Sequence, residues 1–159
     1  FNVVTGTGPV AGEALMGHDS VRMISFTGST AVGRRVAEVA TAGLKRLHLE
    51  LGGKAPFVVF DDADLEAAIH GAVAGSLINT GQDCTAATRA YVHSSRYDDF
   101  VAGVADLMAT VRLGDTSEHT TDLGPLISRR QQEKVAAMVD RAVTSGATAV
   151  TGGKRAPDR

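Results

Sequence analysis

Apolar and polar positions along the chain follow two different periods, and their order predicts strands that alternate with helices. Short apolar runs typical of strands are followed by longer stretches in which apolar residues recur every three or four positions. This order is typical of an α/β fold with parallel strands. The predicted strands are Phe1–Val4, Val21–Phe26, Lys45–Leu49, Phe57–Phe60, Ala90–His93 and Thr148–Thr151. The predicted helices are Val10–Met16, Ala31–Thr41, a segment from the Asp61–Asp64 cluster to Leu77, Tyr97–Val111 and a last helix after Ser128.

Polar residues mark where two of these helices begin. Asp61, Asp62 and Asp64 precede an apolar stripe, and acidic side chains favour a helix N-terminus. Ser128 with Gln131 resembles a capping box ahead of the last helix. The apolar stripe predicted for that helix consists of Val135, Met138, Val139, Ala142 and Val143.

No metal site is predicted. The aspartate cluster lacks the spacing of an EF-hand loop, so a helix start is the better interpretation. The histidines are scattered without the i, i+4 spacing of a metal motif: His18, His48, His70, His93 and His119.

Composition narrows the class of partner. The 159 residues are 43% hydrophobic and 21% charged, with a net charge of −2. A chain without excess positive charge has no field to collect nucleic acid, and no apolar run reaches the length of a membrane span. We therefore expect neither nucleic acid nor membrane as a partner. The single cysteine excludes an internal disulfide, which is compatible with a reducing cytoplasm.

Both ends of the sequence suggest an internal fragment of a longer protein. The sequence starts without Met, inside the apolar run at Phe1, and it stops soon after Gly152 and Gly153 without a closing element. We expect such a fragment to be inactive and poorly stable by itself.

Cys84 is the first candidate for chemistry. A lone cysteine is most often an inert buried thiol. This one lies in a polar, glycine-containing stretch, Asn79–Thr85, where the chain leaves a helix. The neighbouring Asp83 disfavours a thiolate, so activation requires backbone N–H groups, a cofactor charge or a base.

Glu50 is the second candidate. Most glutamates are solvated surface charges, but Glu50 ends the apolar strand at Leu49, where burial would suit a general base. Gly52 and Gly53 follow; they either permit close backbone approach or form only a turn. A thiol that attacks a carbonyl and a carboxylate that activates water can together make and hydrolyse a thioester.

Glycines at two predicted strand–helix junctions suggest a phosphate site. The segment Gly28–Gly33 places backbone N–H groups and a helix N-terminus where a phosphate could bind. It departs from the G-x-G-x-x-G form, and a tight turn explains it equally well. Gly6, Gly8 and Gly12 form a second, weaker cluster.

Taken together, these segments resemble the aldehyde dehydrogenase superfamily. The similarity runs through nearly the whole chain, and the stretch Gly81–Ala87 most resembles the aminobutyraldehyde and betaine-aldehyde dehydrogenases. The matching motifs, in family order, are Phe26–Gly33, Leu49–Lys54, Gly81–Arg89, Leu123–Leu126 and Gly152–Gly153.

The resemblance implies a partial aldehyde dehydrogenase fold, with Rossmann-like parallel sheet elements and part of the catalytic α/β domain. Residues 1–49 would be the C-terminal part of the NAD(P)-binding domain, and residues 50–159 the N-terminal part of the catalytic domain. The implied substrate is a small aldehyde, for example an aminoaldehyde such as 4-aminobutanal. The implied cofactor is NAD, with NADP as the alternative. The parent protein would be a homodimer or homotetramer.

The resemblance also implies a role for individual residues. Cys84 is the nucleophile, its backbone N–H is one oxyanion donor, and Glu50 activates the water that hydrolyses the thioester. A glutamate at this position favours hydrolysis to an acid over transfer to coenzyme A. The implied cofactor contacts are Gly28, Ser29 and Gly33 at the pyrophosphate, Leu51 and Gly52 at the nicotinamide, and Gly8 and Pro9 at the adenine.

Two alternatives stay open at this point. The chain could be a non-catalytic dinucleotide-binding or structural fragment in which Cys84 and Glu50 are idle. A cysteine hydrolase is disfavoured, because the histidine nearest in sequence after Cys84, His93, lies on a predicted strand.

Overall fold

The computed structural model describes residues 1–156, and it confirms an α/β fold with parallel strands. A π-type turn at Gly8–Gly12 precedes the first helix, and short 3₁₀ turns lie at Ile78–Gly81 and Ser94–Arg96. The strands are β1 (Met23–Gly28), β2 (Arg46–Leu51), β3 (Ala55–Val59) and β4 (Ala87–Val92). The helices are α1 (Glu13–Gly17), α2 (Thr30–Ala42), α3 (Leu65–Leu77), α4 (Tyr97–Ala109) and α5 (Arg129–Thr144).

The chain divides into two compact units, one at Phe1–Gly53 and one that starts at Lys54. The predicted assignment of residues 1–49 and 50–159 to parts of a cofactor domain and a catalytic domain stays a prediction.

In the first unit, helix α2 connects the two parallel strands β1 and β2. The strands pair from Met23 opposite Arg46 to Gly28 opposite Leu51. Val36 and Ala40 lie four residues apart on α2, and each is only 1% exposed. Residues four apart share one helix face, so this face forms the core of the unit against the sheet.

In the second unit, β3 and β4 are parallel and α3 packs against α4. The buried side chains of this unit come from β3, α3, α4 and the residue just before β4: Val59, Val73, Phe100 and Ala86. The rings of Phe57 and Phe100 stack with centroids 6.5 Å apart, which joins β3 to α4. Ala86, at 2% exposure, anchors the residues just after Cys84 in this core.

Side-chain caps begin three of the helices. Ser29, Asp64 and Ser128 accept hydrogen bonds from the backbone N–H groups of Val32, Ala67 and Gln131. The aspartate cluster therefore begins a helix, as predicted, with Asp64 as its N-cap. The serine half of the predicted capping box at Ser128 is present as well.

Two of the predicted strands are wrong. Phe1–Val4 and Thr148–Thr151 are not strands, because no neighbouring strand pairs with either segment within residues 1–156. The apolar stripe of α5 is largely exposed, with Val135, Met138 and Val143 at 40%, 50% and 49%. No other element of the described chain covers that face substantially.

In residues 1–156, no helix is both long enough and apolar enough to cross a bilayer.

Candidate active site

Cys84 lies in an exposed loop that leaves α3 through an unusual backbone. Asn79, Thr80 and Gly81 are consecutive residues with positive φ, at 48°, 59° and 72°. Asparagine and glycine tolerate this region, but the β-branched Thr80 does so at a cost of conformational strain. Such a conformation persists only where surrounding contacts hold it.

Side-chain hydrogen bonds provide those contacts. The Thr80 hydroxyl donates to the carbonyl oxygen of Gly124 at 3.3 Å. The Gln82 carbonyl oxygen, Oε1, accepts from the backbone N–H of Ile127 at 2.9 Å. Within the loop, the side-chain amides of Asn79 and Gln82 each donate to the other residue's backbone carbonyl, at 3.1 and 3.2 Å. The loop before Cys84 is therefore tethered to residues that are distant in sequence.

Asp83 is occupied by its own local hydrogen bonds. Its carboxylate accepts from the Thr85 hydroxyl and, at 2.7 Å, from the Thr85 backbone N–H. These bonds, the hydroxyl first, lower the pKa of the Asp83 carboxyl. Asp83 therefore stays ionised beside Cys84, and a carboxylate in that state does not activate a neighbouring thiol.

The Cys84 backbone N–H has no acceptor among residues 1–156, whereas those of Gln82 and Thr85 are both used. The thiol itself is exposed. An exposed sulfur beside an unused backbone donor is an arrangement in which an attacked carbonyl could find its oxyanion donor.

Glu50 lies within β2 and its side chain is 61% exposed, so the burial expected at this position is absent. Within residues 1–156 the strand pairs only with β1. The carboxylate oxygen Oε1 lies 3.3 Å from His48 Nε2. His48 Nδ1 in turn lies 3.0 Å from the Ser25 hydroxyl on β1.

His48 was missed by sequence reasoning, which treated it as one of several scattered histidines. The signal was available, because residues two apart in a strand share a face. His48 lies in the predicted strand, and Glu50 is the first residue after it, so the two residues have this spacing.

The predicted pyrophosphate segment lies at the junction of β1 and α2. Ser29 is the N-cap of α2, and its carbonyl accepts from the Gly33 backbone N–H at 2.9 Å. Gly33 is buried against β2, and a Cβ added there would lie 2.6 Å from Leu51 Cδ2. A Cβ on Gly28 would similarly meet the Phe26 ring at 2.5 Å. Both contacts are with the ends of side chains, and they indicate close packing around Gly28 and Gly33.

Other predicted cofactor residues lie in open surroundings. A Cβ built on Gly8 or Gly52 would meet no atom within 4 Å. Pro9 occupies the first turn after the N-cap Thr7. The backbone N–H groups of Thr30 and Ala31, in the first turn of α2, have no acceptor in the part of the chain described. Free first-turn donors and open glycine backbone are compatible with a bound dinucleotide phosphate.

Two further features of the described residues bear on the site. No three His, Cys, Asp or Glu residues of the described chain are grouped so as to hold a metal ion. A shallow depression of about 560 Å³ lies between α3 and α4, lined by Leu65, Ile69 and Leu107 among others, and it includes neither Cys84 nor Glu50. These two residues belong to different compact units, Cys84 to the second and Glu50 to the first.

Comparison with known proteins identifies related sequences over nearly the whole chain. The family model described as "Aldehyde dehydrogenase family" matches residues 1–159. Succinate-semialdehyde dehydrogenase [NADP(+)] GabD of Escherichia coli is 42% identical over 97% of the chain, and betaine aldehyde dehydrogenase of Brucella anthropi is 42% identical over 96%. The NAD⁺ complex of an aldehyde dehydrogenase from Bacillus cereus superposes with a TM-score of 0.93 at 40% identity over 96% of the chain. The chain spans only 31–32% of the length of these relatives.

Proposed function

The chain belongs to the aldehyde dehydrogenase family, and we propose that it carries the nucleophile and the hydrolytic base of an NAD(P)-dependent aldehyde oxidation. The observation that carries this proposal is the Cys84 loop. It combines an exposed thiol, an adjacent backbone N–H without an acceptor in residues 1–156, and tethers at Thr80 and Gln82. A loop held in a strained conformation beside a nucleophile is typical of a functional site.

In the proposed reaction Cys84 forms the covalent intermediate and Glu50 serves its hydrolysis. Cys84 Sγ attacks the aldehyde carbon to give a thiohemiacetal, and the Cys84 backbone N–H donates to the developing oxyanion. A bound nicotinamide dinucleotide would supply the acceptor for the hydride that leaves this carbon. The thiohemiacetal hydroxyl loses its proton to solvent, which leaves a thioester on Cys84.

Glu50 then acts in hydrolysis. Its carboxylate removes a proton from water as the water oxygen attacks the thioester carbonyl, and the C–S bond breaks to release the acid and the Cys84 thiolate. Among residues 1–156 no hydrogen bond to the Glu50 carboxylate is formed, and its Oε1 lies 3.3 Å from His48 Nε2, so the other carboxylate oxygen stays available to water.

The cofactor proposal rests on the open backbone of the first unit. The free first-turn N–H groups of α2 would hold the pyrophosphate beside Gly28, Ser29 and Gly33. Leu51 and Gly52 would line the nicotinamide side, and Gly8 and Pro9 the adenine side. One relative is named for NADP⁺ and one structural neighbour contains NAD⁺, and both match this chain to a similar extent. We propose NAD as the cofactor, with NADP as the alternative.

The substrate proposal is an aminoaldehyde such as 4-aminobutanal, from the similarity of Gly81–Ala87 to aminobutyraldehyde and betaine-aldehyde dehydrogenases. A relative named for betaine aldehyde is 42% identical, which supports this class. Comparison of kcat/KM for 4-aminobutanal, betaine aldehyde and succinate semialdehyde tests it. A homodimeric or homotetrameric parent, a cytoplasmic location and an inactive isolated 159-residue chain are part of the same proposal.

The test of the nucleophile uses the complete polypeptide in which these residues occur. Cys84→Ala should abolish aldehyde-dependent NADH formation, and iodoacetamide should modify Cys84 in step with the loss of activity. Saturating NAD⁺ binding should persist in Cys84→Ala, which separates a lost nucleophile from a lost fold. Full labelling of Cys84 with undiminished activity would overturn the proposal and favour the idle-residue alternative.

A further inference from the structure

Three polar side chains form a contiguous row on one face of the sheet in the first unit. Ser25 of β1 is the register partner of His48 of β2, so the two side chains lie directly opposite each other. Glu50 follows His48 by two positions in the same strand and therefore shares its face. Residue positions and strand pairing, rather than side-chain rotamers alone, thus bring Ser25, His48 and Glu50 together.

The distances link the row through the histidine ring. Ser25 Oγ lies 3.0 Å from His48 Nδ1, and His48 Nε2 lies 3.3 Å from Glu50 Oε1. The tautomer with hydrogen on Nε2 presents a donor towards the Glu50 carboxylate oxygen, which lies at ion-pair distance. In that tautomer Nδ1 is an acceptor, to which the Ser25 hydroxyl can donate across the 3.0 Å contact. This one tautomer therefore suits both contacts of the row, the hydrogen bond with Ser25 and the close approach to Glu50.

We propose that His48, oriented by Ser25, is a positioning residue that holds the Glu50 carboxylate for attack by water on the Cys84 thioester. This inference rests on the proposed role of Glu50 as the hydrolytic base. A glutamate whose side chain is 61% exposed has several accessible rotamers, and a base acts only in the one that reaches its water. A partner fixed from the neighbouring strand selects one orientation of the carboxylate.

The other neighbour of Glu50 on this face does not duplicate the contact. Thr27 is the register partner of Glu50, but no hydrogen bond joins their side chains in the described structure. Of the two neighbours, His48 is the one whose side chain comes within ion-pair distance of the carboxylate, at 3.3 Å. His48 has no role in thioester formation by this account, so its loss should slow hydrolysis alone.

The test uses p-nitrophenyl acetate, an ester that requires neither cofactor nor a known aldehyde. The Cys84 thiolate attacks the ester carbonyl, p-nitrophenolate leaves, and water then hydrolyses the acetyl-enzyme to acetate. In the complete polypeptide, the rapid burst of p-nitrophenolate reports acylation. The decay of the acetyl-enzyme, followed by intact mass after removal of excess ester, reports hydrolysis.

His48→Ala should leave the burst amplitude and rate unchanged and should slow acetyl-enzyme decay about tenfold, since small misplacements of a catalytic group cost this much or more. His48→Gln should restore part of the rate, because its amide can donate towards Glu50 and accept from Ser25. Ser25→Ala should slow decay by a smaller factor. The matched control is His93→Ala, since His93 is also exposed and its Nδ1 lies 2.9 Å from a serine hydroxyl, that of Ser95.

Comparison of Glu50→Gln, His48→Ala and the double variant separates failure of this inference from failure of the proposed function. If Glu50→Gln leaves acetyl-enzyme decay unchanged, the proposed base is wrong. If Glu50→Gln slows decay but His48→Ala does not, only the positioning role is overturned. In Glu50→Gln, the further change His48→Ala should have little additional effect, and additive effects would contradict the coupling. Should His48→Ala fail to fold, His48→Gln and Ser25→Ala decide the matter by the same decay measurement.

Discussion

The side-chain carbonyl of Gln82 accepts a hydrogen bond from the backbone N–H of Ile127 at 2.9 Å, across 45 positions of sequence. The same side chain donates to the carbonyl of Asn79 at 3.2 Å. Gln82 thus connects the loop that carries Cys84 to Ile127 and, within the loop, to Asn79. The glutamine side chain can do both because its amide has a donor and an acceptor.

Gln82→Ala should therefore lower the free energy of unfolding by about 1–2 kcal/mol, since it removes two hydrogen bonds of a half-buried side chain. It should also accelerate hydrogen exchange in the Asn79–Thr85 loop more than in α4. Chemical denaturation and exchange measured by mass spectrometry check both effects. Gln132→Ala is the control, because the Gln132 side chain makes no hydrogen bond in the described structure. Equal exchange in both variants would contradict the tether.

Two glycines of the predicted cofactor site should respond differently to a methyl group. Gly33→Ala places a Cβ 2.6 Å from Leu51 Cδ2, and overpacking of this kind typically costs about 1–3 kcal/mol, partly offset by the better helix propensity of alanine. Gly52→Ala meets no atom within 4 Å, so its stability should change little while its affinity for NAD⁺ falls. Thermal unfolding and NAD⁺ titration of both variants test this. Loss of stability in Gly52→Ala would remove the argument for an open cofactor surface.

The predicted fold was most accurate for the β1–α2–β2 unit, whose three elements follow one another directly along the chain. The β1–α2–β2 unit lies within two residues of its predicted bounds, because glycines and caps such as Ser29 and Gly43 end these elements within the sequence itself. Phe1–Val4 and Thr148–Thr151 were predicted incorrectly as strands, and the α5 stripe is exposed, for a different reason. A strand requires a partner strand and an apolar face requires a covering element, and neither is encoded in the segment's own pattern.

The candidate site shows the same division. Cys84 was recognised from its polar loop, and its exposure agrees with that interpretation. The expected burial of Glu50 was wrong, because burial of a strand residue depends on what lies over the sheet. The Ser25–His48 pairing could not be read from one segment, since it depends on the register between two strands. The roles of Cys84, Glu50 and the cofactor residues stay predictions that the experiments here address.

Acid should destabilise the loop that follows α4. The Arg112 side chain and backbone N–H hold the pKa of the Asp122 carboxyl below its ordinary value. A pKa that is lower in the folded state stabilises the protein above the unfolded value, about 3.9, and this stabilisation is lost as the pH falls through the folded value. Unfolding below about pH 4 should therefore become easier in the native protein.

Asp122→Asn should make acid unfolding less dependent on pH between about pH 5 and pH 2, with lower stability at neutral pH. Circular dichroism during urea unfolding at each pH provides the measurement. Asp140→Asn is the control, because the Asp140 side chain forms no ion pair or hydrogen bond in residues 1–156. The same pH dependence in native protein and Asp122→Asn would exclude the Arg112 contact as the cause.

The most direct test of the division of labour between Cys84 and Glu50 is the mass of the Cys84 peptide during turnover. The complete polypeptide carrying Glu50→Gln is mixed with NAD⁺ and 4-aminobutanal, or with propanal if the aminoaldehyde does not react, quenched in acid and digested. Our account predicts one rapid equivalent of NADH and a persistent acyl group on Cys84, with steady-state turnover reduced about a hundredfold or more. An unmodified Cys84 peptide together with undiminished turnover would contradict it.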